Sequence, residues 1–94
     1  MNKDKLRYAI LKEVDSNNLP LTEESFDISE SNFDEAVRFL DRENYLIGVY
    51  YSDDRPHLYN KVVSLTEKGE LYLKENTTLA KTYRGLREFK EWIP

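Results

Sequence analysis

The first half of the chain carries apolar residues at the three-to-four-residue spacing of amphipathic helices. A first helix is predicted over residues 3–14 from three such positions: Leu6, Ile10 and Val14. Thr22 is a suitable N-cap for a short second helix that buries Phe26. A third helix is predicted over about residues 30–43. At about 100° per residue, its core face comprises Phe33, Ala36, Val37 and Leu40.

The middle of the chain changes to the aromatic and β-branched residues that are typical of strands. Residues 46–65 predict a β-hairpin, because two such runs are separated by a polar break. The break, Ser52–His57, is predicted to be the turn, since it contains Pro56, which cannot donate a hydrogen bond to a strand ladder.

Two further helices are predicted after the hairpin, over about residues 66–76 and 78–93. The last one is strongly amphipathic, and its apolar residues are Leu79, Tyr83, Leu86, Phe89, Trp92 and Ile93. This surface is too large to remain in water. We expect the helix to fold back on the first helix or, alternatively, to pair with a second copy. The protein is therefore predicted to be a monomer or a homodimer through residues 78–93.

The order of these elements predicts the fold class. A helix, a short helix, a third helix and a hairpin follow one another as in winged helix-turn-helix proteins. We therefore predict a mainly helical α+β fold in which residues 1–94 form a single winged-helix domain. The helix-turn-helix is expected at about 22–44 and the wing hairpin at about 46–65, and two additional C-terminal helices follow.

The composition and the charge distribution bear on where the protein is located and on what it can bind. The chain has no cysteine, no signal peptide and no run of about 20 apolar residues, so we expect a cytoplasmic protein without membrane association. The net charge is −4, and residues 22–44 alone hold eight acidic residues and two arginines. Acid concentrated in the helix-turn-helix opposes binding to the DNA polyanion.

Four segments resemble the YjcQ family, a small family of Bacillus and phage-associated winged-helix proteins. They are Pro20–Glu24, Phe33–Leu40, Tyr45–Tyr59 and Ser64–Gly69, and the resemblance extends over essentially the whole chain. It implies a winged-helix fold and a prophage origin. It implies no activity, ligand or catalytic residue.

The sequence contains few of the residue types that form catalytic sites. His57 is the only histidine and there is no cysteine, so neither a nucleophile–histidine arrangement nor a thiol site is indicated. The acidic pairs at helix starts, Glu23/Glu24 and Asp34/Glu35, are explained by the helix dipole. We predict no enzymatic activity, no metal site and no cofactor.

The fold favours double-stranded DNA as a partner. The outward face of the third helix offers Ser31, Arg38 and Arg42 as contacts, with Asn32 near its start. The wing offers a second set of candidate contacts: Tyr50, Arg55, His57 and Lys61. The N-terminal cations, including Arg7, are candidates for additional phosphate contacts.

The acidic residues of the third helix favour an alternative. Asp34, Glu35 and Asp41 lie within one turn of Arg38. Its guanidinium is therefore expected to pair within its own helix rather than with guanine. An acidic helix with Glu35 as a contact suits a basic protein partner. Two hypotheses follow: a DNA-binding, transcription-regulator-like protein, and a protein–protein interaction module.

Overall fold

The computed structural model describes residues 1–94 as a mixed α+β structure with small antiparallel sheets. The helices are α1 (Lys3–Asp15), α2 (Glu23–Phe26), α3 (Glu30–Arg42), α4 (Glu67–Glu75), α5 (Thr77–Thr82) and α6 (Phe89–Trp92), with a 3-10 turn at Leu86–Glu88. The strands are β1 (Leu46–Ile47), β2 (Tyr50–Ser52), β3 (Arg55–His57) and β4 (Ser64–Leu65). No helix combines the length and the apolar character that crossing a membrane requires.

Polar side chains start the helices that carry the core. Ser29 Oγ accepts a hydrogen bond from the Asn32 N–H at 3.1 Å, which satisfies a free donor at the start of α3. The core face predicted for this helix is confirmed, since Phe33, Val37 and Leu40 are fully buried. They pack on α1, whose buried residues include Ala9, Ile10 and Leu11. The crossing of α1 and α3 therefore forms the centre of the core.

The segment from β1 to β4 is a two-part antiparallel ribbon. Leu46 pairs with Leu65 at its base, and Tyr50 pairs with His57 nearer its tip. Gly48 interrupts the ribbon with a φ of +85°, and a Cβ at this position would lie 2.0 Å from the Val62 carbonyl oxygen. The close approach of the two backbones therefore requires glycine here.

The predicted turn over Ser52–His57 is wrong. Only Asp53 and Asp54 turn the chain, with φ values of 54° and 61°, and Pro56 lies inside β3 opposite Tyr51. Aspartate tolerates left-handed φ values, so two residues suffice for a tight hairpin turn. A bridge between Leu21 and Leu58, the residue after β3, ties the segment after α1 to the ribbon.

The single helix predicted over residues 78–93 is also wrong. Helix α5 ends at Thr82, Tyr83 is extended, and Gly85 has a φ of 103° that an L residue rarely adopts. The chain then resumes in the 3-10 turn and α6. This break redirects the C-terminus, so that Phe89 and Ile93 enter the core.

The C-terminal segment folds back on α1, as one of the two alternatives expected. Lys5 Nζ donates hydrogen bonds to the Trp92 carbonyl at 2.8 Å and the Pro94 carbonyl at 3.3 Å. The Tyr83 hydroxyl donates to Glu13 on α1. The predicted homodimer through residues 78–93 depended on an exposed apolar face of this segment. That face is packed within one chain.

Candidate functional site

A groove of about 420 Å³ runs along the outward side of α3. We call it the arginine groove, and its lining residues are Arg7, Ser31, Asp34, Glu35, Arg38, Phe39 and Arg42. Arg38 and Arg42 lie one turn apart on α3, and Arg7 joins them from α1. Three cations from two crossing helices therefore converge on one surface.

Arg55 ties the ribbon to the acidic residues of α2 and α3. Its guanidinium donates to both carboxylate oxygens of Asp34, at 2.8 and 2.9 Å, and to Glu23 at 2.9 Å. Glu30 lies 3.3 Å from its Nε. Arg55, predicted as a DNA or partner contact on the ribbon, is therefore already surrounded by three carboxylates.

The other two acidic residues near Arg38 also have partners from outside their helix. Glu35 forms an ion pair with Lys3 of α1 at 2.8 Å, and Asp41 accepts a hydrogen bond from the Tyr51 hydroxyl of β2 at 2.7 Å. Burial, together with this hydrogen bond, raises the pKa of Tyr51 to about 12. The carboxylates of α3 thus connect the helix to α1 and to the ribbon.

The expectation that Arg38 pairs with carboxylates of its own helix is wrong. Because Asp34, Glu35 and Asp41 have other partners, the Arg38 guanidinium is left to reach the ribbon tip. There it donates to the backbone carbonyl of Asp54 at 2.6 Å. A carbonyl oxygen orients the guanidinium without neutralising its charge.

Phe39 forms the apolar floor of the arginine groove. The guanidinium carbon of Arg7 lies 3.5 Å from the centre of its ring, and that of Arg42 lies 5.6 Å away. Both arginines have only loose acidic neighbours, Asp4 at 3.8 Å and Glu43 at 3.5 Å. Exposed pairs at these distances contribute little free energy, so both guanidinium groups can exchange them for another anionic partner.

The remaining predicted contact residues lie outside this groove. Asn32 lines a smaller cavity of about 150 Å³ together with Met1 and Lys3. His57 stacks on Tyr59 at 5.4 Å, and its Nε2 lies 3.2 Å from the Ser52 carbonyl oxygen. Lys61 occupies a turn with a φ of 67°. Of the predicted contacts, the groove brings together Ser31, Glu35, Arg38 and Arg42.

The ribbon carries exposed apolar side chains. Ile47 and Tyr50 are 60% and 53% exposed, and Tyr59 and Val62 are exposed as well. The rings of Tyr50 and Tyr59 lie 5.8 Å apart. We call these four residues the ribbon patch. Apolar surface collected in this way is a feature of interaction sites.

Acidification tests the tie between the ribbon and α2. The hydrogen bond from Arg55 lowers the pKa of the Glu23 carboxyl below its ordinary value of 4.5. A lowered pKa in the folded state stabilises the protein above 4.5, and this stability is lost as the pH falls through the folded value. We expect the free energy of unfolding, measured by urea titration between about pH 3 and 6, to fall more steeply in the wild type than in Glu23→Gln. Equal pH dependence of the two proteins would contradict this role.

Fold and groove together define a small α+β protein in which an antiparallel ribbon is fixed to an arginine-lined helix. The chain belongs to the YjcQ protein family, whose sequence profile matches residues 4–92. The uncharacterized protein YjcQ of Bacillus subtilis (strain 168) is 61% identical over 93 residues, covering 99% of both chains. The solution NMR structure of the Bacillus subtilis YjcQ protein is 63% identical to this chain. It has a TM-score of 0.71, with 78% of this chain and 94% of that chain covered.

Proposed function

We propose that this protein is a winged-helix DNA-binding protein of the transcription-regulator type, with α3 as recognition helix and the ribbon as wing. The element order supports the fold, since α1, α2 and α3 precede a hairpin. The bridge between Leu21 and Leu58 adds support, because this single β-bridge joins the segment after α1 to the ribbon.

The arginine groove carries the proposal. The net charge of −4 argues against DNA binding only if the carboxylates on the docking face are free. Asp34 and Glu35 line the groove, but Arg55 and Lys3 pair with them. Arg7, Arg38 and Arg42 then present the guanidinium groups of this face. Arg38 is held by a backbone carbonyl rather than by a carboxylate. Guanidinium groups suit both phosphate oxygens and the O6 and N7 acceptors of guanine.

Position within α3 assigns a role to each contact. Arg38 and Arg42 lie on the outward side of the helix, where a base edge or phosphate approaches in the major groove. Ser31 lies in the first turn, where hydroxyl and backbone N–H groups suit a phosphate. Arg7, stacked on Phe39, adds a phosphate contact from α1.

The experiment is fluorescence anisotropy with a labelled random duplex over a range of salt concentrations. If the three arginines neutralise three phosphates, the logarithm of the affinity falls with the logarithm of salt with a slope of about −2.7. Binding that is undetectable at ~50 mM salt, or that does not weaken with salt, would overturn the proposal.

The ribbon patch favours a second candidate function, a protein–protein interaction module. The carboxylates of α3 are less suited to a basic partner than the sequence indicates, because Asp34, Glu35 and Asp41 have partners within the chain. Exposed Ile47 and Tyr50 instead favour an apolar partner surface. A protein captured by the wild type and by Arg42→Ala, but lost with Tyr50→Ser, would support this function; loss with Arg42→Ala alone would count against it.

A further inference from the structure

A second, more apolar cavity of about 130 Å³ lies between α1, α3 and α4 and shares Phe39 with the arginine groove. We call it the tyrosine cavity, and its lining residues are Asp4, Arg7, Leu11, Phe39, Leu40, Tyr45 and Tyr72. The Phe39 and Tyr45 rings are stacked 6.3 Å apart, and Tyr72 meets Tyr45 edge-on at 5.4 Å. Aromatic rings therefore make up much of its wall.

The volume and walls of this cavity suit one small ring. A cavity of roughly 150 Å³ lined by apolar side chains accommodates benzene. The tyrosine cavity is slightly smaller and is partly open to solvent, so a single ring can enter while a polar substituent stays at the mouth. Offset and edge-to-face contacts with Tyr45 and Tyr72 favour an aromatic ring over an aliphatic one.

Arg7 is the positively charged residue of the tyrosine cavity. Its Nε is buried and has no hydrogen-bond partner in the protein. A buried donor without an acceptor costs free energy, which a ligand oxygen would recover once the Arg7 side chain shifts to expose Nε. Asp4 approaches only the Nη1 atom, at 3.8 Å, and its own side chain is largely exposed. The guanidinium charge of Arg7, which lines the cavity, thus suits an anionic oxygen.

We propose that the tyrosine cavity binds a small aromatic carboxylate, with the ring packed against Tyr45 and Tyr72 and the carboxylate on Arg7. Arg7 and Phe39 also line the arginine groove. A carboxylate on Arg7 neutralises one of the three cations of that groove, so the ligand lowers affinity for DNA. This regulatory consequence rests on the proposed function, whereas binding of the ligand does not.

Benzoate and its neutral analogue benzyl alcohol test the cavity by ¹H–¹⁵N NMR titration of the full-length protein. We expect saturable shifts for amides of residues that line the cavity, with a benzoate Kd of about 1 mM. Arg7→Met should weaken benzoate at least about five-fold and leave benzyl alcohol within about two-fold. Asp4→Asn should tighten benzoate alone, because it removes the nearby negative charge. Retained dispersion of the amide spectrum checks that each variant is folded.

Two results would overturn the cavity assignment. One is the absence of saturable shifts up to ~20 mM benzoate. The other is equal weakening of both probes by Arg7→Met, which would remove the role of the carboxylate. The regulatory step is tested separately, by DNA anisotropy with benzoate replacing chloride at constant ionic strength. A DNA affinity that is unchanged by saturating benzoate would overturn regulation alone. Absence of DNA binding without benzoate would overturn the proposed function and leave the ligand site standing.

Discussion

Replacing Arg7, Arg38 and Arg42 together by alanine is expected to lower DNA affinity by about a thousand-fold at ~50 mM salt. Each arginine that contacts a phosphate or a base edge contributes roughly 1–3 kcal/mol, and these three line one groove. Their loss also removes the salt dependence, since the released counterions are those of the neutralised phosphates. Fluorescence anisotropy of the wild type and the variant, each over a salt series, measures both effects.

The matched control removes the same charge from elsewhere on the surface. Lys74, Lys81 and Arg84 are exposed and lie in or after α4 and α5, and none of them lines the arginine groove. Their joint replacement by alanine changes the net charge by the same amount. We therefore expect the DNA affinity to fall by no more than about five-fold, through the change in the electrostatic field of the whole protein. A control that loses as much affinity as the groove variant would show that the groove is not the binding surface.

Phe89→Ala is expected to destabilise the protein by about 3–5 kcal/mol. The Phe89 side chain is 0% exposed and packs edge-to-face on Phe26 at 4.8 Å, which links the C-terminus to α2. Truncation removes this aromatic contact and leaves a cavity that the surrounding helices cannot fully close. Since a domain of this size is stable by only about 5–15 kcal/mol, the urea midpoint should fall by a large fraction.

Leu71→Ala is the control for this loss. Leu71 is 50% exposed on α4, so its truncation should change the free energy of unfolding by about 0.5 kcal/mol or less. If Phe89→Ala costs no more than Leu71→Ala, the C-terminal segment does not belong to the core.

Local rules were sufficient for much of the fold. The 3.6-residue period identified the core face of α3, and Ser29 caps this helix as a short hydroxyl residue should. The same rules failed where one residue changes the backbone. Gly85 carries a φ of 103° inside a strongly amphipathic pattern, and Asp53 and Asp54 turn the chain with two residues where six were expected. The spacing of apolar residues indicates which face of a helix is buried, but it does not indicate the φ of an individual residue.

The site was less predictable, because its contacts join distant parts of the chain. Pairing rules within a helix assign Asp34 to Arg38, whereas the observed partner, Arg55, lies 21 residues away in β3. Arg7 reaches Phe39 across the crossing of α1 and α3, and no spacing in the sequence indicates this contact. The residues of the groove could be named from the sequence, but the partners that set their charge could not.

Amide mapping tests most directly the claim that the outward face of α3 is the DNA-binding surface. A ¹H–¹⁵N titration of the protein with a short duplex at ~50 mM salt reports which residues the DNA approaches. The predicted result is saturable shifts centred on Ser31, Arg38, Phe39 and Arg42, with Leu71 on α4 unaffected. Shifts confined to the ribbon patch, or no saturable shifts at all, would contradict the claim.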